Sequence, residues 1–357
     1  MSLDNRTARK VVLRSYPEGN MKASDFTVED CPVPDVTDGT FLVRNIFVSV
    51  DPMLRIFIDR MPLGSKTMPP LPLGTTIPGA AVGEIIESRH AGYKAGDMVE
   101  GRFGWQHYAV SNGQGVNRVP QGYGNQENAL GIGGLPGFTA YIGLHVAGGV
   151  KPGQTILVSG AAGAVGSAVG ALVKARGGRV VGIAGGENKR RYLRDHVGYD
   201  AVADRHSPDF HAQLAAALPD GVQVYFDNVG GPLLADMMPY MAFGGLVLIS
   251  GLMAQYQGDK GHQGEKGTAG TDNLPAVLHG VMGKGLRIQS FSQYGQDALR
   301  PAFEQEICAL LASGALKPEV HVIAGLENLP QAQVDLFENS KTGKVVVQVS
   351  SVPGLAD

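Results

Sequence analysis

Residues 155–186, TILVSGAAGAVGSAVGALVKARGGRVVGIAGG, constrain the fold more than any other stretch of the chain. Ile156, Leu157 and Val158 are an apolar run of the length of a buried parallel strand. Gly160, Gly163 and Gly166 follow in a turn of small residues, spaced G-x-x-G-x-x-G. Val165, Val169, Leu172 and Val173 then fall on one helical face, Gly177-Gly178 ends the helix, and Arg179 to Ala184 reads as a second strand. Strand, turn, helix and strand within about 30 residues make a βαβ crossover. Glycines in such a turn let the backbone approach a pyrophosphate, and the first helical turn points unpaired N–H groups at its oxygens. Any tight strand-to-helix turn favours small residues. The flanking strand and helix give this triplet its reading as a dinucleotide site.

The end of the second strand selects the dinucleotide. An NAD site usually carries an acid there, about 20 residues on, to hold the adenosine ribose 2′-hydroxyl. This chain has Ala184, Gly185 and Gly186, followed by Glu187, Asn188, Lys189, Arg190 and Arg191. A missing acid followed by three cations favours a 2′-phosphate, with Lys189 as its first partner and Arg190 or Arg191 as helpers. A solvated basic helix start is the bland alternative, and Glu187, one step late, keeps NAD as the minority reading.

The length of 357 residues favours two domains. A hydrophobic content of 43%, a charged content of 18% and a net charge of −3 describe a globular protein without the basic footprint of a nucleic-acid or membrane-surface binder. No apolar run reaches the roughly 18 residues of a membrane span, and the start, MSLDNRTARK, lacks a signal peptide's apolar centre. The cytoplasm is the expected location. Cys31 and Cys308 are too few for a disulfide framework, and the histidines show no ligand spacing beyond the segment His206 to His211, which reads as an irregular loop. No metal is expected.

Residues before about 130 are β-rich, with strand patterns at Phe41 to Val50, Pro78 to Ser88 and Tyr93 to Gly101 closed by Gly and Pro. Arg60 to Thr76 reads as an extended loop. Further on, Ala201–Asp204, Val222–Asp227, Leu246–Ser250 and Leu286–Phe291 are short apolar strands separated by helical stretches, the pattern of a doubly wound sheet. Residues 257–272, almost devoid of apolar side chains, read as a mobile loop near the site. A helical pattern over 299–311 and a final strand at Lys344 to Val349 follow. The organisation expected is α/β: a Rossmann-type doubly wound parallel-sheet domain over 131–297, and a β-rich domain from 1–130 plus 298–357.

The sequence resembles the medium-chain dehydrogenase/reductase superfamily. Within it, the resemblance is to the zinc-independent branch of prostaglandin and leukotriene reductases, plant double-bond reductases and bacterial curcumin reductases. It is carried by Val50 to Arg55, Pro136 to Tyr141, Ser159 to Gly170, Gly185 to Leu193, Phe226 to Gly231, Gln255-Tyr256, Gly325 to Asn328 and Thr342 to Lys344. It implies a GroES-like barrel for the β-rich domain, a homodimer joined through the nucleotide-binding sheets, and NADPH-dependent reduction of the carbon–carbon double bond of α,β-unsaturated aldehydes and ketones. Hydride would go to the β-carbon, leaving an enolate that needs a donor.

Tyr256 matches the family's active-site tyrosine and would supply that donor, with the nicotinamide ribose hydroxyl, and support protonation at the α-carbon. Thr139, Phe291 and Ser292 match positions near the nicotinamide, and Gly163, Ala164 and Val165 the pyrophosphate turn. Gly185 and Lys189 match the 2′-phosphate side, with Arg205 as a second cation where a tyrosine is frequent. Asn228 would lie by the nicotinamide ribose or amide, Gly251 and Met253 beneath the ring. Met53 replaces a frequent pocket tyrosine and suggests an adaptable apolar wall; Lys341 replaces a frequent Asn. An NADPH-dependent quinone oxidoreductase, and an NADPH-binding protein with little turnover, are the competing readings.

Overall fold

The computed structural model describes residues 8–59, 69–256, 273–338 and 341–353. The chain begins with β1 (Ala8–Leu13), β2 (Phe26–Cys31), β3 (Phe41–Ser49), the single turn α1 (Leu54–Phe57), β4 (Ala81–Ser88), β5 (Met98–Gly101), β6 (Tyr108–Ser111) and β7 (Asn117–Arg118). Alternating elements follow: α2 (Leu135–Val146), β8 (Thr155–Val158), α3 (Ala164–Ala175), β9 (Arg179–Ala184), α4 (Glu187–Arg191), β10 (Ala201–Asp204), α5 (Phe210–Ala217), β11 (Val222–Asp227), α6 (Gly231–Met237), β12 (Met241–Ile249), α7 (Leu274–Lys284), β13 (Arg287–Ser290) and α8 (Arg300–Ala312). β14 (Val320–Ala324), α9 (Leu329–Asp335) and β15 (Lys344–Gln348) complete it. Of the described residues, those up to 130, Tyr256 and those from 320 form one unit; 131–255 and 273–319 form the other.

The second unit is a parallel sheet in the order β10-β9-β8-β11-β12-β13. Strand order reverses between β8 and β11, and in such sheets ligands bind outside the carboxyl ends of the strands at that reversal. Leu157, Val181, Tyr225 and Val247 are fully buried, as the unbroken apolar runs require. The segment 298–319, expected with the β-rich domain, falls in this unit. The reason is packing: Phe303 of α8 meets Phe138 at 5.2 Å and Tyr141 at 5.5 Å, and Glu306 accepts from Arg176 Nε and Nη2 at 3.0 and 2.9 Å. The expected loop at 206–211 ends early, because α5 begins at Phe210. All four residues of the terminal strand β13 are exposed.

The first unit is a sheet in the order β14-β15-β3-β4-β5-β7, with β6 also on β3 and β1 paired to β2. β15 pairs antiparallel with β3, so the two ends of the chain close one sheet. Val43, Val48, Ala81, Ile85, Trp105 and Val347 line its core. The strand expected from Tyr93 starts only at Met98, because residues 94–97 make a turn closed by Asp97 N–H to Lys94 O. Residues 69–76 of the expected loop are tied to β1 by the bridge of Thr76 to Val12, by Gly74 N–H to Leu13 O (2.8 Å) and by Leu13 N–H to Thr75 O (3.1 Å); the rest of that loop and 257–272 lie outside the described residues.

Candidate nucleotide-binding and catalytic residues

The glycine turn is shaped by what cannot be placed there. Gly160 has φ +57°, and a Cβ on Gly166 would sit 2.5 Å from the carbonyl oxygens of Gly160 and Ala161. α3 starts after Gly163, an extended N-cap with no side-chain acceptor, so Ala164 and Val165 open the helix with N–H groups that have no intrahelical acceptor. Tyr199 fixes the helix against the sheet. Its ring fills the space a Cβ on Gly170 (2.2 Å) or Gly182 (2.9 Å) would take, and its buried hydroxyl donates to Gly166 O at 2.7 Å. Burial pushes that hydroxyl well above the ordinary phenol range. The turn therefore fits a pyrophosphate: open backbone, helix N-terminus, small side chains.

Beyond β9 the cations gather. Lys189 on α4 is held next to Arg205, and burial, reinforced by that like charge, pushes its amine down to about 8. A Cβ on Gly185 would meet the His206 ring at 2.4 Å and Arg205 Nε at 3.1 Å, so this glycine leaves the space that both side chains use. Asp204 braces the turn, accepting from Gly186 N–H at 3.2 Å and His206 N–H at 3.0 Å. Glu187 is occupied: Arg194 and Arg190 donate to it at 2.7 and 2.9 Å. Arg190 is thus tied to Glu187, and Arg191 donates to Asn188 at 3.0 Å. Lys189 with Arg205 fits a 2′-phosphate, while Glu187 is turned to arginines and Asp204 to backbone N–H groups.

At the strand-order reversal, Asp227 is fully buried and accepts from neutral donors: Ser159 Oγ (2.6 Å), Tyr225 OH (2.9 Å), Val229 N–H (3.0 Å) and Gly230 N–H (3.1 Å). This carboxylate shapes the loop that carries Asn228. Asn228 donates its backbone N–H to Ser159 Oγ at 2.9 Å and its side-chain amide to Ser159 O at 2.8 Å, tying the ends of β8 and β11 together. Gly251 N–H donates to Asp227 O (3.1 Å) and Met253 N–H to Asn228 O (3.3 Å), so the loop after β12 is strung on the same node. A Cβ on Gly251 would stand 3.0 Å from Asn228 O. Phe291 packs edge-on to Phe226, Ser292 accepts from Tyr294 N–H, and Thr139 donates to Leu135 O while Gln293 bonds its hydroxyl. Three groups of expected residues form: the glycine turn, the Gly185–Lys189–Arg205 cluster and the Asn228–Gly251–Met253 loop pair.

In the first unit, Met53 precedes α1 and Tyr256 is buried, 8% exposed. Sequence reasoning assigned no role to Arg55, which is 3% exposed and donates from Nε to Tyr256 O at 3.1 Å and from Nη2 to Gly19 O at 3.0 Å. Nor did it find the node before α1. Lys344 Nζ donates to Val50 O (2.9 Å) and Asp51 Oδ1 (2.8 Å), Ser49 Oγ to Asp51 Oδ2 (2.5 Å), and Gln333 clamps the Asp51 backbone with both its amide atoms. Asp51, Arg55 and Lys344 sat inside the quoted motifs, but nothing local marks them as partners. Asp227 had a signal, an acid ending an apolar strand.

A model of the N-terminal domain of oxidoreductase matches residues 9–119, and a zinc-binding dehydrogenase model matches 164–305. The NADPH-dependent curcumin reductase of Escherichia coli (strain K12) is 33% identical over 98% of this chain and 99% of its own. The chain belongs to the double-bond reductase branch of the medium-chain dehydrogenase/reductase superfamily. The 2-alkenal reductase (NADP(+)-dependent) of Nicotiana tabacum is 31% identical over 96% of this chain and 97% of that protein. The crystal structure of CurA from Vibrio vulnificus in complex with NADPH superimposes with a TM-score of 0.87, at 33% identity over 96% of this chain and 100% of CurA. The branch's Rossmann-like and β-rich domains are the two units described above. Among the described residues, no three His, Cys, Asp or Glu side chains group to hold a metal ion, and no helix is long and apolar enough to cross a membrane.

Proposed function

We propose that this protein reduces the carbon–carbon double bond of α,β-unsaturated aldehydes and ketones with NADPH. The observation that carries the reading is the end-to-end likeness to reductases named for conjugated carbonyl compounds. The Lys189–Arg205 pair supports the choice of cofactor, since two cations, with Glu187 tied to arginines and Asp204 to backbone N–H groups, suit a 2′-phosphate better than a 2′-hydroxyl. Bound NADPH supplies the hydride, which adds to the substrate β-carbon.

The chain's own residues do the rest. The glycine turn and the N-terminus of α3 hold the pyrophosphate, Lys189 and Arg205 the 2′-phosphate, and Asn228 on its Asp227-shaped loop the nicotinamide side. Reduction at the β-carbon moves the substrate's alkene π pair into the bond between the α- and carbonyl carbons and the carbonyl π pair onto oxygen, giving an enolate. Tyr256 donates a hydrogen bond to that oxygen and stabilises the enolate, so no zinc is needed as electrophile. A proton taken up from solvent, with Tyr256 holding the enolate oxygen meanwhile, goes to the α-carbon and completes the saturated product. Met53 gives the substrate an adaptable thioether wall in place of a tyrosine.

Two copies assemble through β13, whose outer edge and four exposed residues leave backbone donors and acceptors for a second sheet. Ile288 on that strand, with Leu278 and Met282 of α7 and Phe243, are exposed apolar side chains that a partner would cover. Light scattering tests this: a dimer that Ile288→Lys reduces to monomer supports it, and a wild-type monomer removes it.

The activity is tested by following NADPH oxidation with a medium-chain 2-alkenal, an aryl enone and a simple quinone, with NADH in parallel. Turnover of the alkenal or enone to the saturated carbonyl, with NADPH preferred, is the expected result. Quinone turnover alone makes the protein a quinone oxidoreductase instead, and NADPH binding without turnover makes it a binding protein.

A further inference from the structure

We propose that Arg55 is the positioning residue for Tyr256: a buried guanidinium that fixes the tyrosine's main chain so that its hydroxyl meets the substrate carbonyl. The inference rests on the catalytic reading of Tyr256 given above.

A guanidinium has to be compensated when it leaves water, and Arg55, 3% exposed, is placed where backbone oxygens do this. Its Nε and Nη2 form one edge of the planar fork. That edge spans two carbonyls from distant parts of the chain, Tyr256 O at 3.1 Å and Gly19 O at 3.0 Å. Asp59, one helical turn on, lies 3.5 Å from Nη1 and supplies the countercharge. The fork's own position is inherited from below. Lys344, Gln333 and Ser49 hold Val50 and Asp51 at the end of β3, and Leu54 N–H and Arg55 N–H then donate to Asp51 O and Pro52 O as α1 begins. A rigid strand end thus carries the arginine, and the arginine carries the tyrosine.

Tyr256 has need of such an anchor. The sequence beyond it, residues 257–272, contains a single apolar side chain, Ala269. The Arg55 hydrogen bond takes hold of Tyr256 by its main-chain oxygen and not by its side chain. Lysine keeps the charge but lacks the planar fork, so it cannot hold both carbonyls in this geometry.

The experiment compares Arg55→Lys, Tyr256→Phe and the double variant, with thermal melts to establish that each is folded and Arg55→Gln as a second variant if Arg55→Lys is not. The expected result is that Arg55→Lys lowers kcat about tenfold, since displacement of a catalytic group by about 1 Å costs up to 100-fold. NADPH affinity stays within about twofold, and adding Arg55→Lys to Tyr256→Phe changes kcat by less than about twofold, because the two act as one unit. Backbone amide exchange of residues 251–256, measured without substrate, speeds up in Arg55→Lys while the β3 and β15 strands keep their protection. Wild-type kcat in Arg55→Lys beside a slow Tyr256→Phe overturns the inference alone, as does unaltered exchange or a tenfold loss that persists in the Tyr256→Phe background. Wild-type kcat in Tyr256→Phe overturns the catalytic reading and this inference with it.

Discussion

Asp51 and Asp227 do the same work in two units by opposite electrostatics. Each sits just past or at the end of a central strand, and each holds the start of a loop that carries expected site residues. Asp51 is matched by an ammonium, Lys344, whose side chain is 5% exposed. Asp227, with no exposure at all, has its negative charge met by two hydroxyls and two backbone N–H groups. A charge pair fixes a point strongly, but each member is a liability when its partner goes. Dipoles spread the same load over four weaker bonds, so the loss of any one is smaller. The pair suits a strand end that has to stay put under α1. The dipole cage suits a loop built from Asn228, Val229 and Gly230, where an added cation would compete for a ligand's phosphates.

The largest effect that would sharpen this contrast is on the paired carboxylate. Lys344→Met is expected to destabilise the protein by about 3 to 5 kcal/mol, read from denaturant unfolding, because Asp51 loses its countercharge. Adding Asp51→Asn should recover a good part of that loss. A single variant that unfolds like wild type would show that Asp51 is solvated well enough to need no cation. Asp227→Asn is expected to cost less, about 2 kcal/mol, since Asn keeps the Oδ1 on which all four donors converge and turns only Oδ2, an acceptor for Gly230 N–H, into a donor. A loss as large as that of Lys344→Met would break the comparison.

The smallest effect concerns a charge placed beside its like. Lys189 has its pKa lowered to about 8 by burial and then by Arg205. Below that pH the free protein already carries the ammonium. Above it, binding a 2′-phosphate has to take up a proton, so NADPH affinity falls as pH rises, by up to about tenfold per unit. NADH has no such group, so the ratio of the two dissociation constants between pH 7 and 9 isolates the effect, and Lys189→Arg should flatten it. A ratio independent of pH in the wild type would remove Lys189 from the phosphate site.

What was legible in the sequence follows the range of the interactions. Strands β9, β10 and β11 fall where their apolar runs put them, because a parallel sheet buried on both faces needs nothing but such runs. The glycine turn was legible because the fingerprint, the strand and the helix lie within one crossover. Lys189 follows β9 at once, and its neighbourhood is as local. The anchor of Tyr256 was not legible: Arg55 lies 201 residues away from it, and Lys344 lies 293 from Asp51. No spacing rule reaches so far, and only the closing of one sheet by both chain ends brings those partners together. The helix α8 went to the other unit for the same reason. Its own pattern says that it is amphipathic, and only Phe138 and Tyr141 say which sheet it covers.

Tyr199 and its three glycines carry a consequence for how such an enzyme changes over generations. Gly166, Gly170 and Gly182 are each spoken for by one ring or by the turn beneath it, so any single replacement collides before a compensating one can appear. That quartet can drift only as a block. Lys189 and Arg205 are two side chains on separate elements, and either can be exchanged one step at a time. On the proposed assignment of these residues, selection can therefore retune which nucleotide is preferred far more readily than where its pyrophosphate is held.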